Sequence, residues 1–245
     1  MRVPAGTPVH FQLLDENGLA LQTMRSFASL MPGEHRGCLG CHESHSRAPL
    51  PDARMVFARA PQAITPPSWG EDTVSYPRYV RPVLDAYCGK CHEGEGEGRK
   101  VLDLTPRPGF LDFDEPYMIL TGRPTWGKPY EQPEKPQPGW GIADTLMVEA
   151  YGKIDPAAYQ TPRPMTRLSY RSRLIDLCSS GKHYEVRVDP VSLQRLAVWV
   201  DTMCPYRGDE EVRAEDDPVF QGVDWIAIRP RIKTAPRIVR PGPVD

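Results

Sequence analysis

The feature that most constrains this chain is the pattern C-x-x-C-H, which occurs at Cys38, Cys41 and His42 and again at Cys88, Cys91 and His92. This pattern is the attachment signature of c-type haem. Two thiols about one helical turn apart can add to the two vinyl groups of a haem, and the adjacent imidazole can then reach the iron as an axial ligand. The motifs use four of the six cysteines, so the sequence predicts two covalent c-type haems as cofactors.

The same four thiols leave a zinc site as an alternative, because Zn²⁺ is held tetrahedrally by four cysteines in many structural sites. The two pairs are much further apart than in a compact zinc ribbon, and zinc gives no reason for a histidine after each pair. A zinc-stabilised structural domain is therefore kept as an alternative function. A disulfide within each pair is strained unless the pair is redox-active.

Composition narrows the class of protein further. The chain has 245 residues and a net charge of −2, and no basic stripe suggests a nucleic-acid partner. No apolar run reaches the roughly 18–20 residues of a transmembrane segment. Haem is normally attached outside the cytoplasm, yet the N-terminus has no export signal. We therefore expect a periplasmic or otherwise extracytoplasmic protein whose export signal lies on a missing N-terminal part.

The predicted fold class is mainly α and cytochrome-c-like, with an N-terminal β-hairpin and much irregular proline-rich structure, since 28 residues are proline. Residues 1–32 are predicted to form the hairpin, as the end of a missing β-domain, with a turn at residues 15–18. Residues 33–75 are the first haem-attachment segment and a linker. Residues 76–206 are a cytochrome-c-like domain with the second haem, and 207–245 an extended C-terminal tail.

Apolar spacing predicts the helices that surround the second motif. A helix over 78–87 delivers Cys88, a single turn is expected near 117–120, and a helix over 170–178 ends before Gly181. Asp189 is the predicted N-cap of the last helix, with Pro190 at its first position. Between the helix over 78–87 and the turn near 117–120, residues 93–98 alternate Glu and Gly, which predicts a flexible acidic loop.

Iron ligands beyond the two motif histidines come from the remaining histidines and methionines. For the second haem the candidates are His183, Met165 and Met203, and His183 is favoured because it lies between two helices that should pack around the haem. Near the first motif, His45 is a candidate ligand, and His35 is another. Arg36 and Arg47 could pair with haem propionates, or lie on the solvated surface.

Two cysteines, Cys178 and Cys204, remain after both motifs are assigned. Each lies near the end of one of two consecutive predicted helices, and the expected compartment is oxidising. These positions predict a disulfide, with two buried free thiols as the alternative because cysteine packs as a small hydrophobe.

Several short stretches of the sequence, taken together in chain order, form a recognisable set. They are MRSF at 24–27, PGE at 32–34, GCLGCHE at 37–43, YVRPVLD at 79–85, RSRL at 171–174, GKH at 181–183, WVD at 199–201 and CPY at 204–206. This set resembles the C-terminal, haem-bearing part of the hydrazine synthase alpha-subunit-like dihaem c-type cytochromes. The resemblance covers essentially the whole chain and implies that preceding domains, including a propeller, are missing.

The resemblance implies a dihaem module that exchanges electrons with redox partner proteins or other haem subunits. In hydrazine synthase itself, the catalytic haem is understood to take a tyrosine ligand a few residues after its motif. Here residues 43–47 read ESHSR, and the first tyrosine of the chain is Tyr76. An electron-transfer protein is therefore favoured over a complete enzyme. The alternative is a C-terminal fragment of a multihaem oxidoreductase acting on small nitrogen compounds.

Overall fold

The computed structural model describes residues 1–24, 26–37, 60–109, 113–122, 138–145, 162–208 and 211. The chain divides into two units, Met1–Gly208 and Asp209–Asp245, and the described residues lie almost entirely in the first. The predicted tail over 207–245 therefore falls largely outside the described residues. Within the described part, no helix is both long enough and apolar enough to cross a membrane.

The N-terminal hairpin is confirmed. Strand β1, Gln12–Leu14, pairs antiparallel with β2, Ala20–Thr23. The Asp15 side chain stabilises the turn by accepting the backbone N–H groups of Asn17 and Leu19, and Gly18 takes a φ of +78° that suits glycine. Strand β2 is the packed strand, because Ala20 is fully buried, whereas Leu13 of β1 is 60% exposed.

Five α-helices follow the hairpin in the described part of the chain. Helix α1 spans Arg81–Tyr87, α2 Gly89–His92, α3 Glu115–Thr121, α4 Arg173–Ser179 and α5 Pro190–Asp201. A wide π-helical turn, Tyr76–Val80, leads into α1, and a 3₁₀ turn, Glu97–Lys100, follows α2. The helix predicted to deliver Cys88 is confirmed as this turn followed by α1.

Local capping explains where α4 and α5 begin. The Ser172 hydroxyl accepts the N–H of Ile175 at the start of α4. Asp189 accepts the N–H groups of Val191 and Ser192 at the start of α5, which confirms the predicted N-cap. These hydrogen bonds satisfy donors that a helix leaves unpaired in its first turn. A hydrogen bond from the Ser192 side chain, together with these backbone hydrogen bonds, holds the pKa of Asp189 down at about 2.

The core lies between α1, α3, α4 and α5. Its largest fully buried side chains include Trp199 of α5, Tyr117 of α3 and Tyr76. The rings of Tyr76 and Tyr117 meet edge to face, with centroids 5.3 Å apart, and the Trp199 indole lies 5.8 Å from Tyr76. Such aromatic pairs stabilise a core beyond the area they bury. The core therefore fixes the relative positions of the helices that line the site.

The predicted fold class is wrong. The described helices are short, the longest having 12 residues, and they combine with a two-stranded sheet, which is not plainly a mainly-α cytochrome-c fold. Apolar spacing located individual helices in the described part of the chain but did not predict how short each of them would be.

A buried carboxylate joins the hairpin to the end of α5. Asp201 accepts the backbone N–H of Ser169 at 2.8 Å and the Ser169 hydroxyl at 2.7 Å. That hydroxyl in turn accepts the N–H of Ala20 in β2 at 2.9 Å. The Gln12 amide of β1 donates to the Asp201 backbone carbonyl. The hairpin is therefore held to the helical part by polar contacts as well as by packing.

Candidate haem site

The second C-x-x-C-H motif folds as a single helical turn directly after α1. The Cys88 N–H closes α1 by donating to Leu84. The N–H of His92 then donates to the Cys88 carbonyl at 2.9 Å within the turn that contains α2. This turn brings the two thiols and the imidazole to one end of α1, as the attachment chemistry requires. Cys88 is half-buried, whereas Cys91 is exposed.

Cys88 and His92 line a cleft whose walls are otherwise almost entirely aliphatic. The space within it is about 400 Å³ with its open mouth included. Helices α1, α3 and α4 and the segments beside them supply the walls, with Leu84, Leu102, Leu104, Leu120, Ile142, Leu174, Leu177 and Val186. An apolar cleft of this kind suits a flat hydrophobic ligand.

His183 lies across the cleft from His92. The two imidazole rings have centroids 6.0 Å apart and planes inclined at 26°. A bond from an imidazole nitrogen to a metal is about 2 Å long, so two imidazoles at this separation would be close enough to hold one metal ion between them. The structure thus brings together the two histidines that the sequence assigned to the second haem.

The ring of His92 is oriented by the chain that follows it. Its Nδ1 lies 2.7 Å from the Leu102 carbonyl oxygen, and because a carbonyl can only accept, Nδ1 carries the proton. This leaves Nε2 as the nitrogen with a free lone pair for a metal. Metal-bound histidines usually donate their second nitrogen in this way, which fixes the ring and raises its basicity.

The Glu-Gly segment 93–98 does not form the flexible loop that its sequence predicts. It turns tightly against the motif and passes into the 3₁₀ turn Glu97–Lys100. A Cβ atom on Gly98 would lie 2.9 Å from Cε1 of the His92 ring and 2.8 Å from the Cys91 carbonyl oxygen. A Cβ atom on Gly96 would overlap that carbonyl as well. The glycines are therefore required by the close approach of the backbone to the motif.

Substituting Gly98 with alanine should displace either the His92 ring or the loop. We expect a loss of about 1–3 kcal/mol in the free energy of unfolding, which is typical of overpacking, measured by denaturant titration. Gly94→Asn is the control, since a Cβ atom at Gly94 meets nothing within 4 Å and asparagine tolerates its positive φ. Equal stability of Gly98→Ala and wild type would contradict the steric argument.

A third thiol faces the same cleft. Cys178 of α4 is buried there beside Cys88. Burial raises the pKa of Cys88 to about 11 and that of Cys178 to about 12. Both thiols are therefore protonated at neutral pH while the cleft is as described.

The disulfide predicted between Cys178 and Cys204 is not formed. Both residues are buried free thiols, which corrects the expectation from the sequence. Cys178 faces the cleft, whereas Cys204 lies beyond the end of α5, where its carbonyl oxygen accepts the Tyr117 hydroxyl. Assignment by elimination placed them together only because no other cysteines remained.

The two methionine candidates do not line the cleft. Met165 is 49% exposed, and its backbone N–H donates to Leu21 of the hairpin at 2.8 Å. Met203 is 53% exposed just after α5. Among the three candidates for the second iron's sixth ligand, the geometry therefore favours His183.

The first motif lies outside the described residues, as do His45 and Arg47. Two other residues named from the sequence are described in that region. Arg36 forms an ion pair with Glu34 at 2.6 Å on the surface, and His35 is exposed. Within the described ranges no group of three or more His, Cys, Asp or Glu side chains is arranged to hold a metal ion.

Comparison with known families gives one match. The family model described as the hydrazine synthase alpha subunit middle domain matches residues 1–43, which include the hairpin and the first motif. No curated protein and no solved structure matches the chain. The similarity therefore relates the N-terminal part of the chain loosely to that family and does not extend to the cleft at His92.

Proposed function

We propose that this chain is a c-type cytochrome module that carries two covalent haems and transfers electrons. The term refers to covalent haem attachment and not to a fold. The observation that carries the proposal is the pair His92 and His183, whose rings face each other across an apolar cleft beside Cys88. Haem iron, when bound, alternates between its ferric and ferrous forms and so supplies a one-electron carrier.

Each side chain of the cleft has a role in this proposal. Cys88 and Cys91 would form the thioether bonds, and His92 would hold the iron through Nε2. His183 would supply a second nitrogen. The aliphatic walls exclude water from the ring, which lowers the local dielectric and helps to set the potential. Cys38, Cys41 and His42 would hold the first haem, with His45 as a further candidate ligand.

Attachment through Cys88 imposes a condition on the cleft. The thiol must enter the reaction from a half-buried position, where its raised pKa keeps it protonated. Thiolates react faster than thiols, so attachment favours a state in which the cleft is more open. Cys91, in contrast, is exposed. We therefore expect Cys91 to be the more accessible of the two thiols before attachment.

The first prediction concerns covalent haem. When the chain is exported to the periplasm of a host that has a haem-maturation system, its intact mass should rise by the mass of two haems. Replacing Cys88 and Cys91 with alanine should remove one of them, because the second site loses both attachment points. Cys38→Ala/Cys41→Ala should remove the other.

The matched control replaces the two cysteines outside the motifs, Cys178 and Cys204, with alanine. This variant should keep both haems if it folds. Unchanged haem content in Cys88→Ala/Cys91→Ala would refute the proposal. A chain that instead binds stoichiometric zinc and gives no haem spectrum would favour a zinc-stabilised structural domain.

Partners and location follow from the same proposal. An electron carrier requires a donor and an acceptor, so we propose redox partner proteins or other haem subunits. We also propose a periplasmic or otherwise extracytoplasmic location, because haem is normally attached covalently outside the cytoplasm. These statements rest on the motif and on the cleft.

A second candidate function is a fragment of a hydrazine-synthase-like oxidoreductase that acts on small nitrogen compounds. The observation that favours it is the family match over residues 1–43. This function would require an open coordination position at the first haem. Binding of nitric oxide or carbon monoxide to that haem, followed spectroscopically, separates it from a module in which both irons have two protein ligands.

A further inference from the structure

Arg81, in the first turn of α1, connects three separate parts of the proposed haem site. Its side chain is 11% exposed. One guanidinium nitrogen, Nη1, donates to the Leu104 carbonyl oxygen at 2.5 Å. Another, Nη2, donates to the Glu93 carboxylate at 2.5 Å, and Nε pairs with Asp85 of its own helix.

These contacts lie on both sides of the segment that orients His92. Glu93 is the residue after His92, and Leu104 lies two residues beyond Leu102, whose carbonyl accepts the His92 Nδ1 proton. The N–H of Leu104 also donates to the His92 carbonyl at 2.9 Å. Arg81 therefore holds the beginning and the end of the loop that sets the angle of the imidazole.

We infer that Arg81 is the positioning residue for His92, acting through the loop 93–104 and not by contact with the ring. The inference rests on the haem site proposed above and adds a residue that the motif does not contain. The planar guanidinium offers donors in fixed directions and can hold three acceptors at once. A lysine ammonium in the same place is a point charge and cannot reproduce all three directions.

Surrounding contacts support a role specific to this loop. The Glu93 carboxylate lies over Gly89 of α2, where a Cβ atom would come within 3.3 Å of it. The loop therefore packs against the motif helix at Glu93, and Arg81 attaches the loop to α1 at both Glu93 and Leu104. Charge-assisted hydrogen bonds of this kind are about twice as strong as neutral ones. The anchor remains largely shielded from water because Arg81 is nearly buried.

The test replaces Arg81 with methionine in the full haem-loaded chain and measures the midpoint potential of the second haem. This haem is identified as the one that Cys88→Ala/Cys91→Ala removes. A firm Nδ1–H···O bond makes the imidazole a stronger donor and favours ferric iron. Arg81→Met should therefore raise the potential, by roughly a tenfold change in the ferric–ferrous equilibrium, which is about 59 mV for a one-electron couple.

A second readout follows the Nδ1 proton of His92 by NMR in the reduced chain. It should exchange slowly with solvent in the wild type and faster in Arg81→Met. Arg81→Lys should give an intermediate potential and an intermediate exchange rate. Arg78→Met is the matched control, because Arg78 lies three residues earlier and pairs with Asp72 on the surface. It should leave both readouts as in the wild type.

The outcomes separate this inference from the proposed function. A wild-type chain without haem at Cys88 and Cys91 refutes the function, and the inference falls with it. A haem-loaded Arg81→Met chain with wild-type potential and wild-type exchange overturns the inference alone. If Arg81→Met does not fold, Glu93→Gln removes one anchor of the same loop and should shift the potential in the same direction by less. An unshifted potential in that variant also overturns the inference.

Discussion

Replacing His183 with alanine should convert the second haem from a low-spin to a high-spin or water-ligated form. In the structure, the ring centroids of His183 and His92 lie 6.0 Å apart, and both residues line the cleft. Alanine removes the second nitrogen, so the ligand field at that iron weakens. The spectrum of the second haem should change, while the signal of the first haem stays the same.

His183→Met gives the companion result. Methionine ligation raises the potential of a haem relative to a second histidine. If the methionine sulfur reaches the iron, the potential should rise above the wild-type value, and the weak far-red band of methionine-ligated ferric haem should appear. The measurement is a redox titration combined with absorption spectra of both oxidation states.

The control for this prediction is His10→Ala. His10 lies near the hairpin, where its ring nitrogen contacts the Met24 carbonyl oxygen at 2.8 Å and the Thr23 hydroxyl. Its loss should leave both haem spectra as they are. An unaltered low-spin signal in His183→Ala would exclude His183 as a ligand. A loss of that signal in Met165→Ala would then assign the sixth position to Met165.

The sequence predicted the local elements around this site because their signals are local. Asp189 and Pro190 mark the first turn of α5, and Gly18 marks the hairpin turn, through conformational preferences that act over a few residues. The proximity of His183 to His92 was an inference from two predicted helices on either side of it. In the structure, the N–H of Val188 donates to the Cys178 carbonyl, which folds the His183 loop back over the end of α4.

Other parts of the site have no local signal. The contact of Arg81 with Leu104 joins residues 23 positions apart, and periodicity along α1 does not predict it. The Glu-Gly alternation at 93–98 has the composition of a flexible loop, yet the space beside Cys91 and His92 requires glycine there. The predicted disulfide was wrong for the same reason, because the direction of each thiol depends on how distant segments pack.

Asp201 is the clearest long-range feature that the sequence did not predict. It is 5% exposed, and burial raises its pKa to about 6, although the hydrogen bonds from Ser169 partly offset this effect. The thiol of Cys204 lies close enough for the charge of Asp201 to affect its pKa. The carboxyl group therefore joins the hairpin to α5, and the free energy of unfolding that is lost by burying it depends on pH.

The direction of this pH dependence follows from the two states of the chain. Below about pH 4 the carboxyl is protonated in both the folded and the unfolded chain, and it imposes no penalty. As the pH rises, the unfolded chain releases the proton first, because its pKa is the ordinary value of 3.8. The folded chain releases it only near pH 6. Stability should therefore fall between these pH values and stay level above them.

Asp201→Asn should remove this dependence while it keeps a side chain of the same shape. The free energy of unfolding of the wild type, relative to that of Asp201→Asn, should fall by roughly 2–2.5 kcal/mol between pH 4 and pH 7, at 1.36 kcal/mol per pKa unit. Denaturant titrations of both proteins at a series of pH values measure the difference, so that other titrating groups cancel. Thr145→Val is the control, since the Thr145 hydroxyl is a neutral donor to the Val200 carbonyl at the same end of α5. Thr145→Val should lower the free energy of unfolding by the same amount at pH 4 and at pH 7. The prediction is contradicted if the free energy of unfolding of the wild type, relative to that of Asp201→Asn, stays constant or grows as the pH rises. That result would show that the buried carboxyl ionises with little loss of stability.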